Sequence, residues 1–458
     1  MYRLKQITLF LGDWVMLLFG LFLATIIRYM QVDASRWITL IPYMFILFLM
    51  ATIILFIVGL YDLNQTKNNK RFYQKILLSS IVWFVIGIIY FYVNVTNSVA
   101  PKTILILTTI CSFLLICVWR YVYNRYISTN IWQINVIFTG LTPEVQELIA
   151  LFKKEPQRGF IARGIISQGE ENLSISSEIL IGKSIADIQN QRQYIGQTLV
   201  VLTQELENKP ELLKELYQGL FANMGVINIV DLFEDIAGRI PPFAFSENYF
   251  ISNLQEQDKK IYDRLKMTFD FLCAILIGIF FLITFPFIFI AIKINSPGSI
   301  FFKQKRIGKN GIEFTLYKYR TMKVLNADGS AEIAGPQFSS DTDTRITLIG
   351  KFLRKTRLDE IPQFINILKR EMSLIGPRPE RPPFVAELLQ TMPYYALRHL
   401  IRPGLTGWAQ IKHGYTGNMD ETLKKLEYDL HYIKNRGPLI DISIILRTIN
   451  TIIRLSGK

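Results

Sequence analysis

Phe269-Asp270-Phe271-Leu272-Cys273-Ala274-Ile275-Leu276-Ile277-Gly278-Ile279-Phe280-Phe281-Leu282-Ile283-Thr284-Phe285-Pro286-Phe287-Ile288-Phe289-Ile290-Ala291-Ile292 is the run on which the architecture turns. It is long and apolar enough to cross a bilayer, which takes about 20 residues. Crossing would put everything beyond Lys293 on the far side of the membrane. Yet Lys259, Lys260, Arg264 and Lys266 precede the run, and Lys293, Lys303, Lys305, Arg306 and Lys309 follow it. Basic residues mark the cytoplasmic face, so charge on both flanks argues that both ends stay there. Pro286 has no amide hydrogen and can break a helix, letting the chain turn back. The expectation is a re-entrant membrane helix over 266–292, bent at Pro286, with a fifth span as the alternative.

Four further apolar segments come earlier: Thr8–Tyr29, Ile38–Leu60, Ile76–Val95 and Thr103–Tyr123. Lys67, Lys70, Arg71 and Lys75 crowd the second connection, Arg3 and Lys5 precede the first segment, and Arg120 and Arg125 close the fourth. The other two connections hold Arg28, Arg36 and Lys102. A four-helix transmembrane bundle over 1–127 with both ends cytoplasmic follows. The first run is long and leads into further spans, so it is read as a span and not as a cleaved signal. Cys111, Cys117 and Cys273 all lie in apolar runs without metal-ligand spacing and are read as packing residues.

Between 128 and 255 the pattern changes to short apolar strands alternating with helices. Ile134–Phe138, Ile179–Ile181, Thr198–Leu202 and Val226–Val230 read as strands, and Pro143–Lys154 and Glu211–Phe221 as helices. That is an α/β domain of doubly wound, Rossmann-like type. Its first turn, Thr139-Gly140-Leu141-Thr142-Pro143, lacks the G-x-G-x-x-G dinucleotide fingerprint, so a regulatory or scaffolding role is the better reading.

The third region, 256–458, is basic: from Lys293 on there are 27 Lys/Arg against 15 Asp/Glu, of a chain net charge of +14. Nucleic acid, anionic headgroups or phosphorylated substrates would each suit such a surface. It is also dense in motifs. Lys318-Tyr319-Arg320-Thr321-Met322 is followed by Asp341-Thr342-Asp343-Thr344-Arg345 and by Arg354-Lys355-Thr356. Leu358-Asp359-Glu360-Ile361-Pro362-Gln363-Phe364 stands at the centre, with Gly376-Pro377-Arg378-Pro379 and Arg402-Pro403-Gly404-Leu405-Thr406-Gly407-Trp408 after it.

Asp359 and Glu360 are the reacting pair suggested by these strings. Pro362 is tolerated only in a first helical turn, so a helix is expected from about Asp359 to Arg370. Asp359 would then meet free N–H groups and the positive end of the dipole, which keeps it ionised. Two adjacent carboxylates repel, and Mg²⁺ would relieve this while bridging to phosphates. Arg354 and Arg378 can grip phosphate bidentately, and Lys318 offers a point charge. The plainer reading is an N-cap aspartate beside a solvated glutamate. His399, His413 and His431 show no metal-ligand spacing, and no G-x-S-x-G elbow is present.

From about Lys266 to Arg454 these motifs resemble those of the bacterial sugar transferase family, the monotopic polyprenyl-phosphate phosphoglycosyl transferases. The four spans and the α/β domain resemble the larger members, which initiate exopolysaccharide, capsule or O-antigen repeats. The resemblance implies an α-rich catalytic domain with a re-entrant membrane helix, on the cytoplasmic side of the bacterial inner membrane. It implies transfer of a hexose-1-phosphate from a UDP-sugar to polyprenyl (undecaprenyl) phosphate, with UMP released. Asp359 would be the nucleophile that carries the phosphosugar, Glu360 a Mg²⁺ ligand and Arg354 a phosphate ligand. The loop Gly376, Pro377, Arg378, Pro379 would shape the nucleotide-sugar pocket, with Lys318, Arg320, Asp343, Arg345, Gln363 and Arg402 as further binding residues. In the family the bend proline follows a serine and sits about one turn earlier than Pro286, where this chain has Thr284-Phe285-Pro286.

Other readings stay open. An N-acetylhexosamine donor is equally compatible with the motifs, as is a homodimer. A non-catalytic scaffold or regulator of polysaccharide assembly would suit the first two regions but leaves the Asp359-Glu360 cluster without a use. No nucleic-acid partner is expected, because the basic residues are scattered among Gly/Pro turns and form no binding module. The tail Leu439–Arg447 reads as an amphipathic interfacial helix or a core helix.

Overall fold

The computed structural model describes residues 2–32, 34–61, 68–93, 102–126, 133–166, 179–182, 184–185, 187–188, 197–203, 214–218, 224–254, 256, 259–323, 343, 345–413 and 419–453. Lys67, Asp341, Thr342, Thr344 and the ends of the predicted 211–221 helix lie outside them. The chain forms two compact units, Met1–Leu232 and Phe233–Lys458.

In the first unit, α1 (Tyr2–Tyr29), α2 (Ala34–Ile57), α3 (Lys70–Val93) and α4 (Lys102–Val122) are each apolar over a span's length. They pack around a shared core that includes Leu9, Leu17, Met44, Phe48, Trp83 and Phe113. A Cβ on Gly12 would meet the Trp119 ring and one on Gly20 the backbone of Ser112, so small residues are what let α1 and α4 approach so closely. The fully buried pair Asp13–Arg120, with nitrogen and oxygen 2.5 Å apart, sits at that contact. Tyr61 Oη donates to Asp13 (2.7 Å), and Arg120 also donates to the Leu60 carbonyl (2.7 Å). Every polar atom of the pair is thereby engaged in a setting that offers no water. Large apolar side chains such as Leu77, Leu114 and Val118 face outward. With five helices among the described residues long and apolar enough to cross a membrane, this is a membrane protein.

A five-stranded parallel sheet follows in the order β3-β2-β1-β4-β5. Its strands are β1 (Ile134–Phe138), β2 (Phe160–Ile166), β3 (Leu180–Gly182), β4 (Gln197–Leu202) and β5 (Gly225–Asn228). β1 is buried along its whole length, as expected for the central strand of a covered parallel sheet. α5 (Pro143–Lys154) runs over the predicted residues, with the Thr142 side chain capping the Val145 amide and Pro143 in its first turn. The last strand ends sooner than the sequence suggested. Asn228 accepts from the Val230 amide (2.8 Å) and starts α6 (Ile229–Ala237) at Ile229. The Lys5 ammonium donates to the Arg158 carbonyl (2.7 Å) and so joins α1 to the turn before β2.

In the second unit, 233–254 lies against the later chain. Glu234 pairs with Lys434 (2.8 Å), Arg239 pairs with Glu427, and the Trp408 indole donates to the Gly238 carbonyl (2.7 Å). Residues 233–254 lie in this unit, which takes in most of α6 and α7 (Glu247–Asn253).

α8 (Lys260–Asn295) holds the decisive apolar run. It is one helix across Pro286, so the predicted break there does not occur. Thr284 donates to the Phe280 carbonyl (2.9 Å), and side-chain bonds of this kind, like proline, bend a helix without ending it. Its buried residues Asp270, Ala274, Gly278, Phe281, Ile288 and Ile292 recur at steps of three, four and seven, forming one stripe. That stripe packs on the remainder of the unit: β6 (Phe301–Ile307) and β7 (Glu313–Tyr319) as an antiparallel hairpin, α9 (Leu348–Thr356), a 3₁₀ turn over Leu358–Gln363 and α10 (Phe364–Leu368). β8 (Ser373–Ile375) pairs in parallel with β9 (Gly404–Thr406), with α11 (Pro382–Thr391) between them in sequence. α12 (Trp408–Lys412), α13 (Met419–Asn435) and α14 (Pro438–Ile453) complete the unit. α14 is two-faced, with Ile444 and Asp441 buried and Leu439 and Ile442 exposed.

Removing one member of a buried ion pair strands the other charge. Asp13→Ala is expected to destabilise the first unit by about 3–5 kcal/mol, and joint replacement of Asp13 and Arg120 by leucine to recover most of that. Thermal melting of detergent-purified protein measures both.

Candidate active site

The helix predicted from Asp359 to Arg370 is in fact the 3₁₀ turn Leu358–Gln363 followed by the short α10. Arg357, in a left-handed conformation, separates it from α9. So short a turn has little dipole to offer, and no side chain caps it. The expectation that a helix terminus keeps Asp359 ionised is therefore corrected. Burial pushes the Asp359 carboxyl up to about 6, against the opposing pull of Lys318.

Glu360 behaves in the opposite way. Burial alone would raise its carboxyl, but Lys318, Arg378 and Arg357 outweigh that and hold it well below the ordinary range. Lys318 Nζ lies 2.7 Å and Arg378 Nη2 3.0 Å from the same oxygen, Oε1, while Arg357 Nη1 stands 3.9 Å from Oε2. Asp359 Oδ1 is buried with no hydrogen-bond partner among the described residues. An acceptor left bare in this way is available to an electrophile. Two neighbouring carboxylates with divergent ionisation also match the usual division of labour in paired-acid sites.

Arg378 is placed by backbone. The Gly376 amide donates to the Thr406 carbonyl and the Gly404 amide to the Pro377 carbonyl, both at 2.9 Å. A Cβ on Gly376 would stand 2.4 Å from the Arg402 carbonyl oxygen, and one on Gly404 would stand 2.0 Å from the Gly376 nitrogen. Both glycines are therefore required by this approach of the two motifs. The next three carbonyls, of Arg378, Pro379 and Glu380, accept from Arg398 (3.1 Å), Arg306 (3.0 Å) and the Ile307 amide (3.0 Å). Arg398 is in turn held by Asp429, with nitrogen and oxygen 2.8 Å apart. From the other side, Asp270 on α8 accepts from the Ser373 hydroxyl (2.7 Å) and the Leu374 amide (3.1 Å).

The remaining candidate residues divide. Arg354 donates to the Thr321 hydroxyl (2.9 Å). Gln363 is buried beside the dyad, its Nε2 unpartnered among the described residues. Arg320 points elsewhere, donating to the Ser296 (2.6 Å) and Pro297 (2.5 Å) carbonyls at the exit of α8. Asp343 and Arg345 pair with each other at 2.6 Å ahead of α9, and Arg402 contributes its backbone to the approach at Gly376. Pro286 lies within α8. Burial, with Arg398 adding to it, brings His399 down to about 4, so it is neutral near pH 7. Arg357, Arg398, Asp429 and Asp270 were not singled out from sequence, and Arg306 was read only as a basic residue flanking the apolar run.

Among the described residues no group of three His, Cys, Asp or Glu is placed to hold a metal. The adjacent Asp359 and Glu360 carboxylates, with the bare Asp359 Oδ1, still fit Mg²⁺, which commonly takes one or two carboxylates together with substrate phosphates.

Residues 261–455 match the family described as Bacterial sugar transferase. A UDP-N-acetylgalactosamine-undecaprenyl-phosphate N-acetylgalactosaminephosphotransferase of Aeromonas hydrophila is 40% identical over 232 residues, 51% of this chain and 53% of its own length. A UDP-glucose:undecaprenyl-phosphate glucose-1-phosphate transferase of Klebsiella pneumoniae is 30% identical over 325 residues, covering 69% of this chain and 66% of its own. A glucose-1-phosphate transferase of the same description from Caulobacter vibrioides is 35% identical, over 42% of this chain and 70% of its own. The chain belongs to the bacterial sugar transferase family. Its match spans about half the length of the Aeromonas relative.

Proposed function

We propose that the protein moves a sugar-1-phosphate from a UDP-sugar to a polyprenyl phosphate by double displacement on Asp359. The observation that carries this is the buried, unpartnered Asp359 Oδ1 within a ring of Lys318, Arg354, Arg357 and Arg378. Oδ1 attacks the phosphorus that bears the sugar, the bond to the bridging oxygen breaks, and UMP leaves with that oxygen. A phosphate oxygen of the lipid then attacks the same phosphorus, the aspartyl–phosphorus bond breaks, and a diphosphate-linked lipid results. The bond between the sugar's anomeric carbon and its oxygen is never cut. Splitting one transfer into two lets a soluble donor and a lipid acceptor use one site in turn. The cations neutralise phosphate charge at the moment of displacement. Glu360 is the ligand we assign to Mg²⁺, which when bound adds to that neutralisation.

The membrane arrangement belongs to the same proposal. The apolar stripe of α8 is covered along its length, and both helix ends are tied to the same compact unit. Tyr262 donates to Asp441 (2.6 Å) near the start, and Arg320 holds the exit. A bilayer cannot pass between a helix and a charged domain packed against it. The opposite face leaves Leu276, Leu282, Ile283, Phe287 and Ile290 exposed, far more apolar surface than a soluble domain leaves in water. Both features support a helix that enters the lipid from the cytoplasmic side and returns to it, with Thr284 and Pro286 loosening its backbone. The donor is a UDP-hexose or a UDP-N-acetylhexosamine, since relatives described with a glucose and with an N-acetylgalactosamine donor are both similar to this chain.

Purified protein with Mg²⁺, undecaprenyl phosphate and a panel of UDP-sugars should release UMP with at least one donor. Asp359→Asn should lower that rate by about a thousandfold or more, and undiminished release would remove the covalent step. Chelation by EDTA should abolish turnover and added Mg²⁺ restore it; activity indifferent to EDTA would withdraw the role given to Glu360. Because Asp359 must be ionised to attack, and burial raises its carboxyl, activity should reach its plateau well above pH 6 and fall as pH drops through about 6. An ordinary aspartate would place that limb near pH 4. The pH profile of kcat/KM distinguishes the two.

A further inference from the structure

α9 ends where Arg357 turns the chain into the dyad, and it does so at φ 59° and ψ 13°. That conformation suits glycine, and side chains other than Asn and Asp rarely adopt it. The other described residues with a side chain and positive φ are Met30, Asn310, Arg370 and Tyr394, and none of them adjoins the Asp359-Glu360 pair in sequence. Arg357 carries a long cation into the strained turn and directs it at Glu360. It is not locked there: the separation of 3.9 Å is at the limit of an ion pair, and the side chain is 33% exposed. Lys318, by contrast, is 17% exposed and 2.7 Å from Glu360. Three cations thus serve one glutamate whose Oε1 already has two close partners. A carboxylate so well supplied does not need the third, and strain tolerated beside reacting groups points to a use in the reaction.

We infer that Arg357 is a substrate-binding residue: its guanidinium leaves Glu360 and grips a non-bridging phosphate oxygen of a substrate at Asp359. The inference rests on the phosphoryl-transfer reading for the identity of that substrate. The phosphate is either the diphosphate of the nucleotide or the phosphate of the polyprenyl lipid. Both offer paired oxygens to a planar guanidinium.

The test uses the full chain in detergent with Mg²⁺, comparing wild type with Arg357→Gly and Arg357→Lys. Melting temperature, equilibrium binding of UDP and of a short-chain polyprenyl phosphate, and UMP release with and without acceptor are measured. Glycine fits the left-handed turn, so Arg357→Gly should melt about 2–4 °C higher, yet bind one of the two probes at least about tenfold more weakly. Arg357→Lys should recover part of that affinity without the gain in melting temperature. Stability and affinity moving in opposite directions is a result that a purely structural arginine does not produce. Weakened UDP binding with slower acceptor-free UMP release assigns the donor diphosphate. Weakened lipid binding with only acceptor-dependent turnover slowed assigns the acceptor. Wild-type affinity for both probes in Arg357→Gly overturns the inference, even if catalysis is confirmed. Arg357-dependent binding by a wild type that releases no UMP with any donor sustains it and overturns the proposed reaction. A wild type that binds neither probe overturns both.

Discussion

A single carboxylate organises the candidate site. Glu360 Oε1 accepts from Lys318 on the β6–β7 hairpin and from Arg378 in the loop after β8, while Glu360 itself sits in the 3₁₀ turn after α9. Three segments far apart in sequence meet at one buried atom. An ionised carboxylate with so little access to water is tolerable only if paired, and losing either cation would leave a charge that burial penalises heavily. The same pairing separates the two acids of the dyad. Glu360 takes the close cations and stays charged, whereas Asp359 is left with a bare oxygen and a carboxyl raised by burial. Adjacent residues of similar chemistry thereby acquire different roles, and in the proposed mechanism those are nucleophile and metal ligand.

Arg378 can serve Glu360 only if its loop does not move, and the loop is built for that. Pro377 and Pro379 fix two backbone angles and remove two donors, and the carbonyls of residues 378–380 are each held from outside. Two of the three holders are largely buried guanidinium groups, Arg306 and Arg398. The glycines at 376 and 404 are the counterpart, since they let two backbones run closer than any side chain allows. Preorganisation of this sort is what a phosphoryl-transfer site needs, because positioning and charge do most of its work.

In the proposed arrangement the long helix joins this site to the lipid. Asp270, in its first apolar turn, holds β8 just ahead of Gly376, and Phe281 stacks on Tyr319, the neighbour of Lys318. The face that touches the site and the exposed apolar face belong to one helix. In the proposed reaction this brings the acceptor's phosphate to the dyad without requiring the lipid tail to leave the membrane.

The sequence by itself determined the elements whose signal is local. The four apolar runs became α1–α4, Thr142 and Pro143 marked the start of α5, and the β-rich stretch at 134–138 became the central strand. The Asp359-Glu360 string and the glycine motifs stood out because turn chemistry and paired carboxylates are readable over a few residues. Tertiary structure alone decided what those residues meet. The continuity of α8 through Pro286 was not legible, because stripe packing against the rest of the second unit supports the helix where local propensity would end it. The turn at Arg357 replaced a predicted helix start, and the ionisation of Asp359 followed burial in place of a dipole. The pairs Asp270–Ser373, Arg398–Asp429 and Lys318–Glu360 join residues 103, 31 and 42 positions apart. No pattern along the chain encodes such pairings, because their energy exists only once folding has removed the water between them.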